Sequence, residues 1–237
     1  DAAVPVKTLV VSAGLGLVDV QDWVPSYAAT FTPGTSDSIP GAGTSGASRV
    51  WWSGLGAVDR FKSEVTKQAD PQVIAALPFR YLDAAQPALR DFVRVHGHQR
   101  LAVLGGSSNE AQFPELAKSW VSLDLRMVHK LGGTAGQLTA RALRWVCDQV
   151  ETPAQATPSN VRKLLKPLVE LDAPPLYPKR TRRSAAEVEA WILAAWCADC
   201  PPTSATAALR RFRAEGNGFE QKRFSSIYRA LGAQREG

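Results

Sequence analysis

"DPQVIAALPFRYLDAAQPALRDFVRVHGHQRLAVLGG" (Asp70–Gly106) is the stretch whose reading decides the fold. Val73–Leu77 is a short apolar run stopped by Pro78, as expected of a buried strand. From Tyr81 to Val95 the apolar residues return at a helical period, with Leu82, Leu89, Phe92 and Val93 on one face. "RLAVLGG" (Arg100–Gly106) is a second apolar run, closed by two glycines. Strand, amphipathic helix and strand in that order imply a parallel pair joined by a helical crossover.

Working outward, "KTLVVS" (Lys7–Ser12) reads as another buried strand stopped by glycine. "TPGTSDSIPGAGTSG" (Thr32–Gly46) is a loop long enough to serve as a functional lid, and Ala47–Gln68 has a helical pattern. On the other side, "FPELAKSW" starts a helix with Pro in its first turn, and "LGGTAGQLTARALRWVCDQV" is a glycine turn leading into a helix over Gln137–Val150. Residues 1–150 therefore read as an α/β layered domain with a largely parallel sheet. In such a domain a ligand is expected beyond the carboxyl ends of the strands, where "VVSAGLG" and "AVLGGSS" would both deliver their loops.

"ETPAQATPS" (Glu151–Ser159) has the Pro and small polar residues of a domain linker. Residues 160–237 read as a small all-helical basic module: a helix over Asn160–Leu171, a basic Pro-bearing stretch, and three further helices. Ser184 and Glu187 have capping-box spacing before "AAEVEAWILAAWCADC", and glycine closes each of "TSATAALRRFRAEGNG" and "FEQKRFSSIYRALG".

The 237 residues are 45% hydrophobic and 21% charged, as in a folded domain. No apolar run reaches the roughly 20 residues of a membrane span, and no basic-then-apolar leader is present, so a cytoplasmic protein without a membrane partner is expected. Cys197 and Cys200 form a C-x2-C pair, but no second pair completes a zinc site; with Cys147 they read as reduced structural thiols. His96, His98 and His129 are scattered. No phosphate-binding G-x4-G-K-[ST], third dinucleotide glycine, G-x-S-x-G elbow or H-E-x-x-H occurs. These gaps argue against ATPases, nicotinamide enzymes, α/β hydrolases and zinc proteases, and no cofactor or metal is expected.

Charge is uneven. Residues 1–150 hold 14 Lys and Arg against 13 Asp and Glu, whereas residues 151–237 hold 14 against 9. A polyanionic partner for the C-terminal part is implied. Its basic residues fall in three clusters: Lys179, Arg180, Arg182 and Arg183; Arg210, Arg211 and Arg213; and Lys222, Arg223 and Arg229 with Gln221. Helix, glycine turn and helix with basic exposed residues suit helix-turn-helix docking in a groove. The plainer alternative is a solvated basic face.

"SAGLGLVDVQDWVPSYAATF" (Ser12–Phe31) holds the candidate chemistry. Gly14 and Gly16 allow a tight turn that brings backbone N–H groups near a ligand. Asp19 and Asp22 supply carboxylates able to orient water or balance a developing positive charge, and Tyr27 and Phe31 supply faces for a base. The ordinary alternative is steric glycines, solvated acids and core aromatics.

This stretch resembles a motif of the form S-x-x-G-L-V…P…Y-[DA] found in uracil-DNA-glycosylase-like domains. These include the domain attached to archaeal tRNA-guanine transglycosylase relatives and bacterial proteins of peroxide stress and phage defence. The resemblance touches residues 8–142 discontinuously, through "VLGGSS" and "LGGTAGQLTAR" as well. It implies a three-layer α/β/α sandwich with a base pocket at the strand ends. Ser12, Gly14, Gly16 and Leu17 would form the first pocket loop, Asp19 or Asp22 the polar catalytic group, and Tyr27 the stacking ring. Gly105, Gly106 and Ser107 would form the second loop, which in that superfamily usually holds a His; here "GGSSN" offers only Ser108 or Asn109. The implied function is a monomeric DNA glycosylase that flips and excises a modified base, in defence against phage with modified DNA. A non-catalytic nucleic-acid-binding protein with a degenerate fold, or a base-binding protein tied to tRNA modification and hence to RNA, is the alternative.

Overall fold

A computed structural model describes residues 6–169 and 180–236. The chain divides into two compact units, residues 1–173 and 174–237. No helix among the described residues is long and apolar enough to cross a membrane.

The first unit is mixed α/β. It opens with an antiparallel hairpin, β1 (Leu9–Ser12) against β2 (Gly16–Asp19), followed by α1 (Ala47–Gly54) and α2 (Ala57–Thr66). Then come β3 (Val73–Ala76), α3 (Phe79–His96), β4 (Leu101–Gly106), the single turn α4 (Ser107–Glu110) and β5 (Trp120–Leu123). The one-turn α5 (Val128–Leu131), α6 (Leu138–Gln149) and α7 (Pro158–Leu165) complete it. β3, β4 and β5 form a parallel sheet in that order, with Val73 opposite Leu101 and Val103 opposite Trp120.

The crossover read from Asp70–Gly106 is present. β4 is central and dry, Leu101 to Leu104 being fully buried, which is why it reads as an unbroken apolar run rather than an alternating one. α3 buries Leu82, Ala85, Leu89 and Phe92 in the main core, with Val93 packed at its edge. Small residues at 84, 85 and 88 bring this helix close to its neighbours.

Three expectations are corrected. First, Lys7–Ser12 is not a strand of the parallel sheet. It folds back on Gly16–Asp19 through the turn Ala13–Leu15, with Gly16 at φ 74°, a conformation that favours glycine. β1 is not buried throughout: Val10 is exposed. Second, "FPELAKSW" is not a helix leading onward. Pro114–Ser119 is a 3-10 turn, and Trp120 begins β5. Third, Glu151–Ser159 is not a linker. Pro153 and Pro158 each occupy a first helical turn behind a threonine N-cap, where proline's missing N–H costs nothing. Gln72 donates to the Ala156 carbonyl at 2.8 Å, and Arg162 of α7 donates to the Trp120 carbonyl at 2.6 Å. With Val161 and Leu165 buried, residues 151–168 belong to the first unit.

The second unit has α8 (Ala185–Trp196), α9 (Ala205–Ala214) and α10 (Gln221–Glu236) around Val188, Ile192, Leu209, Phe212 and Phe224. It is not purely helical: β6 (Thr181–Arg182) pairs in parallel with β7 (Asn217–Gly218). Ser184 and Glu187 form the expected capping box of α8.

Candidate functional site

The hairpin turn is filled by its own side chains. Ser12, almost fully buried, accepts from the amides of Gly14 and Leu15 at 3.2 and 3.0 Å, and its Oγ lies 2.6 Å from the Tyr27 hydroxyl. The Tyr27 ring lies so close over Gly14 that a Cβ there would come within 2.6 Å of it. Trp51 of α1 donates to the Ala13 carbonyl at 2.7 Å, and Gly16 sits against Leu55 and Ala57. Leu17 is core. These residues lock the turn, and the Tyr27 ring is spent on Gly14 and its hydroxyl on Ser12.

The carboxylates nearby are ion-paired. Asp19 accepts from the Gln21 amide and lies 3.2 Å from Lys7, and these two partners hold its carboxyl below the usual range. Asp22 meets Arg60 at 2.6 Å. Glu64, between Lys67 and Lys7, is pulled down to about 2. The segment beyond runs over the surface and carries Trp23, 88% exposed.

The second predicted loop is also largely structural. A Cβ on Gly105 would lie 2.4 Å from the Trp120 ring, so the glycine makes room for β5's first residue. Gly106 is the N-cap of α4, which holds Ser107, Ser108 and Asn109. His98 precedes β4, at the other end of that strand from this loop. Its Nδ1 lies 3.0 Å from Ser119 Oγ, and burial lowers its pKa.

An open cleft of about 320 Å3 lies elsewhere at the carboxyl ends of β3 and β4. That volume is at the low end of the about 300–1,000 Å3 usual for small-molecule pockets. Its walls come from Phe31 and Ile39, the glycine loop Ala42–Gly46, the starts of α1 and α3, and Gln112 and Phe113 beyond α4. Phe31 is the one predicted pocket residue that lines it; Ser12, Gly14, Gly16, Tyr27, Gly105, Gly106, Ser107 and Asn109 do not, nor do Asp19 and Asp22. Phe31 packs edge-on against Tyr81 at 4.9 Å. Phe113 stacks on Trp120 at 5.7 Å and meets Phe79 at 5.6 Å, so Gly105 shapes the cleft wall indirectly through Trp120.

The carboxylate of the cleft is Asp83. Ser48 Oγ donates to its Oδ2, and Arg49 Nε lies 3.4 Å from its Oδ1. Arg49 Nε is buried without a hydrogen bond, and Arg80 at the rim forms no ion pair among the described residues. α1 and α3 both begin here without a side-chain cap, leaving first-turn N–H groups for solvent or a ligand. Aromatic walls, one carboxylate and two guanidiniums suit a flat heterocycle with polar edges. Sequence inspection missed Asp83 because it sits on the polar side of an amphipathic helix. One signal was available: Pro87 has no N–H for the Asp83 carbonyl one turn earlier, a defect that marks this turn of α3.

In the second unit the basic residues separate into two groups. Arg183 donates to Asn217 Oδ1 and pairs with Glu187, which its partners hold at about 2; Arg211 donates to the Cys200 carbonyl and pairs with Glu215; Arg213 donates to the Phe219 carbonyl. These three brace the unit. Arg180, Arg182, Arg210, Gln221, Lys222, Arg223 and Arg229 are exposed, and Lys179 lies outside the described residues. Cys147, Cys197 and Cys200 are free thiols, and no cluster of metal-ligating side chains occurs among the described residues. Comparison with protein-family models, with curated proteins and with solved structures found no match to this chain.

Proposed function

We propose that this protein is a DNA glycosylase-type hydrolase, with the cleft at the carboxyl ends of β3 and β4 as its base pocket. The observation that carries the reading is the conjunction of Phe31, Phe79 and Phe113 with the Asp83 carboxylate in one small cleft. The three-layer sandwich is part of the same proposal: α3 with α1 and α2 forms one outer layer, and α6 with α7 the other. A base flipped from the stack enters between the rings. Asp83 holds a water against C1′ of the sugar and takes up its proton as the oxygen attacks. The C1′–N bond breaks with its electron pair going to the base, which takes a proton from solvent, and an abasic site remains.

A second reading is favoured by two observations: Asp83 is already held by Ser48 and Arg49, and no His is among the cleft's lining residues. In that reading the cleft holds a base without cleaving it.

Incubating the full chain with ordinary and hypermodified phage DNA, with mass spectrometry for released bases and alkali for strand breaks, tests the first reading. Base release is expected, and Asp83→Asn should lower it about 100-fold or more with DNA binding retained. No release from any DNA selects the second reading. Full release by Asp83→Asn, with loss in Asp19→Asn or Asp22→Asn, moves the chemistry back to the hairpin.

A further inference from the structure

The second unit's free cations are gathered around one helix. Its residues 174–237 hold eleven Lys and Arg against six Asp and Glu. Three of those six acids are engaged internally: Glu187 with Arg183, Glu215 with Arg211 and the Trp191 indole, and Glu220 with the amides of Lys222 and Arg223. The field left over is positive.

α10 presents this charge on a defined face. Phe224 is fully buried, with Ile227, Tyr228 and Leu231 packed beside it, so the opposite side of the helix carries Lys222, Ser226 and Arg229. Exposed Ala230 and Ala233 continue that side, and residues 221–234 of the helix include no acid. The parallel β6–β7 pair then brings distant residues to the start of α10. Arg182 lies opposite Gly218, three residues before Gln221, and Arg180 Cβ lies 3.2 Å from where a Cβ on Gly218 would stand. Arg223 is steadied over the Phe219 ring at 5.3 Å.

We infer that α10 is a groove-entering helix, and that this unit binds duplex DNA in its major groove with Lys222 and Arg229 facing the groove and Arg180 and Arg182 on the flanking phosphates. This inference rests on the reading of the protein as DNA-directed. Geometry favours DNA over duplex RNA. The major groove of B-DNA, about 12 Å wide, admits a helix, whereas that of an A-form duplex is too deep and narrow for side chains to read. Small residues on the outward face let the helix backbone approach the groove floor.

The test is fluorescence anisotropy of the full chain with a labelled, unmodified 20-base-pair DNA duplex and an RNA duplex of the same sequence, over a series of salt concentrations. DNA should bind more tightly than RNA. Lys222→Ala with Arg229→Ala, the groove-facing pair, should weaken DNA binding about tenfold or more with a smaller change in salt slope than the phosphate-facing pair shows. Arg180→Ala with Arg182→Ala should weaken binding and reduce the salt slope by about one for each cation lost. All four residues are exposed, so melting temperatures should match the parent chain; a matched melt with unchanged DNA affinity overturns the inference, as does equal affinity for the RNA duplex. Base release plays no part in this readout. A chain that binds duplex DNA but releases no base supports the inference while removing the hydrolase reading; release without α10-dependent binding does the reverse.

Discussion

Two glycine-rich turns of the first unit need glycine for different reasons. In the hairpin, Gly14 makes room for Tyr27, and the same logic recurs where Gly105 makes room for Trp120. In the loop before α1, Gly46 has φ 78° and only the tip of the Arg49 side chain near it, with the cleft alongside. Glycine in the first kind is demanded by lack of space, in the second by backbone conformation. The first kind is filled by the protein itself; the second borders space that a ligand can use.

Substitution should separate the two kinds. Gly105→Ala places a methyl group inside a buried indole that cannot move without disturbing Phe113 and β5; the expected loss is about 3 kcal/mol in denaturant unfolding, with distortion of the cleft wall. A loss below about 0.5 kcal/mol would show that Trp120 yields freely. Gly14→Ala meets the Tyr27 ring, which is half-exposed and can swing outward, so about 1–2 kcal/mol is expected. Tyr27→Phe in that background should then cost little, because the swing has already broken the bond to Ser12; in the parent chain it should cost about 1 kcal/mol. Gly46→Ala should cost about 1 kcal/mol by strain alone while ligand access to the cleft is kept. A smaller effect concerns the charges beside the hairpin. Glu64 is held at about 2 against an ordinary 4.5, so its contribution is present above pH 4.5 and lost as pH falls toward 2. Glu64→Gln should flatten stability over that window in acid-unfolding curves.

The parallel crossover was legible because period is a strong signal. α3 repeats its apolar face over five turns, and β4 is buried on both sides, so both patterns are unambiguous. The hairpin was not, since three apolar residues read alike in a central buried strand and in a hairpin strand; Val10 in solvent is the difference. β5 escaped notice because Pro114 opens a 3-10 turn with the sequence signature of a helix start. The boundary between the units was misplaced for a related reason: Pro153 and Pro158 begin helical turns packed on the first unit. Among the site residues, Phe31 was found because an aromatic after a glycine turn is conspicuous. Asp83 was not, since its partners Ser48 and Arg49 lie 35 and 34 positions earlier in the chain. In the second unit, cation counting pointed to the basic clusters, but only side-chain geometry separates Arg183, Arg211 and Arg213 as braces from the exposed cations.

The β6–β7 pair has a consequence for how the second unit opens. It clasps two segments that are 36 residues apart, with α8 and α9 between them, through the amides of Thr181 and Arg183 on the carbonyls of Gly216 and Gly218. Two hydrogen bonds set against the closure entropy of that loop make the clasp weak until α8 and α9 shorten the chain between its halves, so it is expected to form after both helices. It is therefore the last part of the unit to assemble and the first to let go. Hydrogen exchange at Thr181 and Arg183 should outpace exchange within α8, reporting sub-global opening long before the helical core yields.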